Sequence, residues 1–334
     1  METFQRLWRN EYFKTAITII LIIAIVFGFW LGFQAALGTE YPALAVASWS
    51  MEPTLNVGDL IIVQHVDPTQ LNASRTTGDI VVFKEISENG KLIKLIVHRV
   101  VKVENKSGNY EITIQGDNNE GPDSPRSASL LVGKVIAKIP YIGNIALLIH
   151  AQENMYLFIV LIIFLIIIFL MLPFGTSEEE VEKEQNHKKR KLFGKIDVKI
   201  IYISILNVLL IGFAVFSLWG SFTFFQPGSG PPPDYVTIYG MYSDLQFHES
   251  FKRHFKNDYY NYVNKALLSQ GFLTYKIDDC LRDGSVRQGV PTFSWFQFSV
   301  LVLCIVDVWT LFDFWNRRKT EIEQQEVLSE PKAL

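Results

Sequence analysis

The sequence predicts an integral membrane protein whose main polar segment is a mostly-β domain held outside the bilayer. Three observations point there. Four apolar, charge-poor runs are each about as long as the ~20 residues a helix needs to cross a membrane. The polar segment between the first two runs is rich in β-branched residues that partly alternate with polar ones. Basic residues gather in the short flanks on one side of the runs. Of 334 residues, 49% are hydrophobic and only 19% charged, and the apolar ones are clustered rather than dispersed. The net charge of -3 leaves no electrostatic footprint for nucleic acid. Cys280 lies in a polar loop and Cys304 in an apolar run, so neither a disulfide nor a metal site is expected, and no cofactor is implied.

In chain order, residues 1–14 carry Arg6, Arg9 and Lys14 and read as a cytoplasmic terminus. Residues 15–37 form the first span. A cleavable signal peptide competes with this reading, because Ala43-Leu44-Ala45 and Ala45-Val46-Ala47 have the small-x-small pattern, but the run exceeds the usual length for such a peptide and favours a retained anchor. Residues 38–152 are the β-rich segment. Strands are expected over Leu60–Val63, Asp79–Phe83, Leu92–Val103 and Tyr110–Gln115, with a turn at Asn105–Asn109. Residues 153–174 are a second span, 175–199 a basic linker, 200–225 a third span, and 226–292 a second polar segment opened by Pro227 and Pro231–Pro233. Residues 293–315 form the fourth span, followed by a basic tail over 316–334. Basic flanks at the N-terminus, the linker and the tail place both termini in the cytoplasm and both polar segments outside the cell membrane. Asp307, inside the fourth span, is either a functional carboxylate or an acid bonded to a neighbouring helix.

Just beyond the first span lies Ser48-Trp49-Ser50-Met51-Glu52-Pro53-Thr54, leading to Gly58-Asp59. A serine hydroxyl attacks only when a base takes its proton and a third group orients that base. His98 in Val97-His98-Arg99, and Asp117 and Asp123 in Gly116-Asp117-Asn118-Asn119-Glu120-Gly121-Pro122-Asp123, are the candidates. Each alone is an ordinary loop or strand residue.

Together with Gly78-Asp79-Ile80-Val81-Val82-Phe83 and Pro140-Tyr141-Ile142-Gly143, these motifs resemble a type I signal peptidase of the archaeal and endoplasmic-reticulum branch, over roughly residues 15–150. The resemblance implies a mostly-β catalytic domain against the outer membrane surface, cleaving signal peptides from precursors. It implies Ser50 as nucleophile, His98 as general base, Asp123 as the acid that orients the histidine and Asp117 as a second acid in the same loop. Ser50 N–H and the Ser48 hydroxyl would then hold the oxyanion, and Met51 is a candidate substrate contact. Trp49 stands where the family usually has glycine. The branch uses histidine where bacterial relatives use lysine; with a reference pKa of about 6.5, a histidine accepts a proton at neutral pH without the desolvation a lysine needs. The implied partners are signal-peptide-bearing precursors, the lipid bilayer and the protein-translocation machinery.

The resemblance does not reach residues 175–334. There Phe247, Phe251, Phe255, Tyr259 and Tyr262 recur at helical spacing beside Lys252, Arg253 and Lys256, which predicts an amphipathic helix of about 20 residues. This half is expected to be an accessory module, so its deletion should spare cleavage of a small peptide. The alternative reading of the whole chain is a non-catalytic membrane scaffold or chaperone of the secretion machinery, with Trp49 the feature that favours it.

Overall fold

An uninterrupted apolar sequence without proline makes residues Glu11–Leu37 a single helix, α1, and Gly38 ends it in the left-handed conformation (φ 65°) usual for a residue just past a helix. The computed structural model describes residues 11–150, 191–192, 196–225, 235–251 and 263–329. From Gly38 the chain enters the sheet. Strand β1 (Ala43–Ala45) pairs antiparallel with β2 (Leu60–Gln64), Leu44 opposite Ile61. Between them Gly58 takes a φ of 90°, and a Cβ there would run into the Asn144 side chain. Position 58 therefore needs glycine for both reasons.

Strands β3 (Ile80–Ile86), β4 (Leu92–Lys106) and β5 (Asn109–Gln115) follow as an antiparallel meander. The β4–β5 turn is closed by the Asn105 side chain, which accepts from Gly108 N–H at 2.8 Å. Short β6 (Arg126–Ser127) edges β5, and β7 (Leu131–Ile139) returns to pair with both β3 and β2. Helix α2 (Gly143–His150) closes this part. Period-2 patterning becomes burial here: Ile112 and Ile114 from β5 meet Val81, Phe83 and Val100 in one apolar layer, while Met51, Leu55, Ile61, Val63 and Val82 fill another.

Part of the second polar segment builds onto the first sheet. Helix α3 (Val198–Trp219) leads into a hairpin of β8 (Ser221–Phe225) and β9 (Tyr235–Tyr239), then α4 (Met241–Ser250). Strands β10 (Val263–Gly271), β11 (Thr274–Leu281), β12 (Val286–Arg287) and β13 (Thr292–Phe293) join the first sheet, giving one curled array of 11 strands. The junction is parallel, Thr292 of β13 opposite Lys138 of β7. The long aromatic helix predicted from residue 247 onward ends at Ser250 in α4, because Phe251 turns extended at ψ 118°. Its continuation through Phe255, Tyr259 and Tyr262 lies outside the described residues. Phe247 stacks on Tyr239 instead, 4.6 Å between ring centroids.

Helix α5 (Trp295–Ser329) is the last element among the described residues. Among the described residues, three helices are long and apolar enough to cross a membrane: Ile17–Leu37, Ile200–Trp219 and Trp295–Asn316. The predicted second span, 153–174, lies outside the described residues, as does most of the basic linker. Asp307 accepts a hydrogen bond from Asn207 at 2.7 Å, tying α5 to α3.

Candidate active site

The motifs singled out in the sequence arrive from three places in the fold. Ser48 and Ser50 sit in the turn that leaves β1, His98 on β4 facing β3, and Asp123 in the loop between β5 and β6. The β3–β4 pairing sets Val81 opposite His98, which aims the imidazole at the serine turn. His98 Nε2 lies 3.1 Å from Ser50 Oγ, and His98 Nδ1 lies 2.9 Å from Asp123 Oδ2. Ser48 Oγ is 3.3 Å from Ser50 Oγ. Burial on its own would raise the Asp123 carboxyl. The hydrogen bond and charge of His98, with Arg126 at 4.0 Å, more than reverse this and hold it below the usual carboxylate range.

Asp117 goes elsewhere. Its carboxylate is gripped by Arg99, through Nε at 2.8 Å and Nη2 at 2.7 Å, and accepts the Thr54 hydroxyl at 2.6 Å. Both partners of the pair are buried. Burial would raise this acid, but the charge and hydrogen bonds of Arg99, then Arg287 and Thr54, drive it well below the usual range. The same loop braces the nucleophile turn from below: Asn118 N–H donates to Ser50 O at 2.8 Å, and Asn118 Nδ2 to Trp49 O at 3.2 Å. Gly116 makes that approach possible, since a Cβ would stand 2.5 Å from Ser50 O.

Trp49 does not adopt a left-handed φ, so its side chain occupies the usual glycine position without backbone strain. Met51, the candidate substrate contact, is fully buried in the apolar core, its Sδ 3.4 Å from Asp117 N. Its side chain packs the interior and offers no open surface. Strand β2 is paired on both sides, by β1 and β7. Strand β1 is hydrogen-bonded to β2 alone among the described residues and leaves one edge free.

Sequence reasoning missed two features. Arg99 and Thr54 stand inside quoted motifs, but only their contact across the fold gives them a role. Glu52, in the same turn, has its carboxyl pushed up to about 7, by burial and then by the charge of Asp59. Among the described residues, no cluster of side chains fits a metal ion.

A serine, a histidine and an aspartate joined by hydrogen bonds, on a β sheet beside helices apolar enough to cross a membrane, form an arrangement that suits serine hydrolysis. Comparison with known proteins narrows this. The family model for signal peptidase, peptidase S26, matches residues 9–120. The signal peptidase complex catalytic subunit SEC11 of Colletotrichum graminicola is 31% identical over 137 residues, 39% of this chain and 76% of the relative. The sec11 subunit of Dictyostelium discoideum is 29% identical over 169 residues, 48% of this chain and 89% of the relative. Human SEC11C is 29% identical over 151 residues, 42% of this chain and 74% of the relative. This chain belongs to the peptidase S26 family: it is a type I signal peptidase, a hydrolase of the endoplasmic-reticulum type.

Proposed function

We propose that the protein removes N-terminal signal peptides from secretory and membrane precursors at the outer membrane surface, using Ser50 as nucleophile, His98 as general base and Asp123 as the acid that orients it. The observation that carries the reading is the pair of hydrogen bonds, Ser50 Oγ to His98 Nε2 at 3.1 Å and His98 Nδ1 to Asp123 Oδ2 at 2.9 Å. Both are within the reach a nucleophile, base and orienting group need.

Ser50 Oγ attacks the scissile carbonyl as its proton passes to His98 Nε2. The tetrahedral oxyanion is held by Ser50 N–H and by the Ser48 hydroxyl; a preorganised donor of this kind contributes roughly 3 kcal/mol. His98 then gives the proton to the leaving amine, releasing the mature protein and leaving the signal peptide esterified to Ser50. Water attacks the ester, its proton taken by Nε2 and returned to Ser50 Oγ as the ester bond breaks, and the signal peptide departs as an acid that ionises to the carboxylate. Asp123 keeps Nδ1 protonated throughout and stabilises the imidazolium. The free edge of β1 suits an extended precursor segment added as a strand, with backbone hydrogen bonds holding it beside Ser50. Asp117 belongs to the frame, as its Arg99 and Thr54 contacts indicate.

Full-length protein reconstituted in lipid and given a signal-peptide-bearing precursor tests this. Ser50→Ala is expected to lower kcat by at least about a thousandfold while the precursor still binds. Cleavage unchanged by Ser50→Ala would overturn the catalytic assignment. A wild-type protein that binds precursors without cutting them would establish the scaffold reading.

A further inference from the structure

Residues 263–294 lie beyond the family match, yet they reach the loop that braces the proposed nucleophile. Arg287, on β12, is buried. Its Nε and Nη2 bind Asp279 Oδ2 at 3.1 and 2.7 Å, and its Nη1 points to Asp117 O at 3.4 Å. The next residue contributes as well: Gln288 O accepts from Arg99 Nη2 at 3.0 Å, the same guanidinium nitrogen that holds Asp117. Asp279 is fixed from its other side by His248 Nδ1 at 2.7 Å, which anchors the chain of contacts to α4. Arg287 also adds to the positive charge facing Asp117.

Burying a guanidinium is costly unless every donor is met and a carboxylate is near. Here Asp279 takes two of the five N–H donors, and a third goes to the Asp117 carbonyl, one residue before Asn118. Asn118 N–H in turn holds Ser50 O. The path from β12 to the serine is short and contains no flexible side chain on the exposed surface. A shift of that loop moves Ser50 relative to His98, and a misplacement of about 1 Å costs on the order of a hundredfold in rate.

We propose that Arg287 is a positioning residue for the peptidase reaction, supplied by the carboxy-terminal half to hold the 116–118 loop against Ser50. This rests on the assignment of Ser50 and His98 made above. The carboxy-terminal half is thereby part of the active centre's frame, and the catalytic unit of this chain extends from α1 to β13.

The test uses the full chain in lipid nanodiscs. It compares Arg287→Met, Arg287→Lys, Ile277→Ala and Ser50→Ala. Ile277 is a buried apolar residue of β11 with no part in the ion chain, so its truncation loosens the same half without touching the loop. Readouts are kcat and KM on a precursor, the rate at which a small fluorophosphonate labels Ser50, and Tm. Arg287→Met should lower kcat and the labelling rate together, by about ten- to a hundredfold, with KM within about twofold. Arg287→Lys should recover part of both, since an ammonium restores the charge but not the forked geometry. Ile277→Ala, at an equal or larger loss of Tm, should keep kcat within about twofold. Kcat unchanged in folded Arg287→Met, or lost equally in Ile277→Ala, overturns the proposal; if Arg287→Met does not fold, Arg287→Lys against Ile277→Ala decides by the same criterion. Cleavage surviving in Ser50→Ala sinks the serine assignment instead, whatever Arg287 does.

Discussion

Asp117 and Asp123 share one loop and the same side chain, but their surroundings separate them. Asp117 is buried in a bidentate pair with Arg99; removing one partner of such a pair leaves an uncompensated charge, at a cost of about 3–5 kcal/mol. Asp117→Asn is therefore expected to lower Tm sharply and to lose activity only as folding is lost. Asp123 is half-buried and touches His98, so Asp123→Asn should keep Tm close to wild type and lower kcat by about a thousandfold. Measuring Tm and kcat for both variants checks the division, and the opposite pattern would reverse it. Spacing alone does not separate the two acids, because their division depends on a strand pairing that brings Arg99 to Asp117 and His98 to Asp123. Glu52 gives a pH prediction. Its carboxyl is raised from 4.5 to about 7, so between those values the folded protein holds a proton the unfolded chain has released. Stability from this group is full below pH 4.5 and is lost as pH rises towards 7. Glu52→Gln should leave Tm unchanged near pH 4.5 and raise it at pH 8, by an amount worth about 3 kcal/mol at most. A Tm difference that shrinks with rising pH would contradict this.

The elements differ in how openly the sequence announces them. Strands β2 to β5 were legible because their β-branched residues alternate and Asn-Gly or Gly-Asp turns separate them. β11 alternates as cleanly in the structure, with Tyr275, Ile277, Asp279 and Leu281 all inward. Asp279 hides the pattern, since a carboxylate at a core position reads as surface until Arg287 and His248 are known to face it. The aromatic stripe after Phe247 misled in the other direction: helical spacing was present, but Phe247 packs on Tyr239 and α4 stops at Ser250. At the serine turn the decisive element is the approach of two loops. Gly116→Ala places a methyl 2.5 Å from Ser50 O, closer than side-chain carbons approach, so the loop must retreat. It should lower kcat by at least about tenfold with KM little changed. Steady-state kinetics on a precursor settle it; a wild-type kcat would show that the loop's contact with Ser50 O has no part in the reaction.

The whole molecule turns on one sheet built from both polar segments. Because β7 and β13 are hydrogen-bonded neighbours, residues 43–139 and 263–293 lie on one side of any membrane that the helices cross. Helix α3 ends beside α4, where Ser243 donates to Trp219 O and Gly240 N–H to Gly220 O. The basic flanks predict an outward-facing sheet, so Phe272→Cys, at an exposed turn, should react with a membrane-impermeant maleimide in intact cells. Labelling only after lysis would invert the orientation. The same sheet changes the expectation that residues 175–334 can be removed at little cost. Lys138 of β7 is buried between Asp59, at 3.3 Å, and Asp244 of α4, at 3.9 Å; burial alone would lower its pKa, and the two carboxylates raise it instead. Asn56 reaches Asp244 at 3.2 Å, and the Tyr141 hydroxyl donates to Tyr239 O. A chain ending at residue 150 would keep Asp59 for Lys138 and Asp117 for Arg99, but would take Asp244 from Lys138 and Asn56 and the Gln288 carbonyl from Arg99. Lys138→Met probes the seam without truncation. It strands two buried carboxylates side by side, which should cost about 3–5 kcal/mol and lower Tm accordingly. The double variant Lys138→Met with Asp244→Leu removes one of the two stranded charges and should recover part of that loss. A Tm unchanged by Lys138→Met would mean that the ion cluster around Lys138 does not help hold the two halves together.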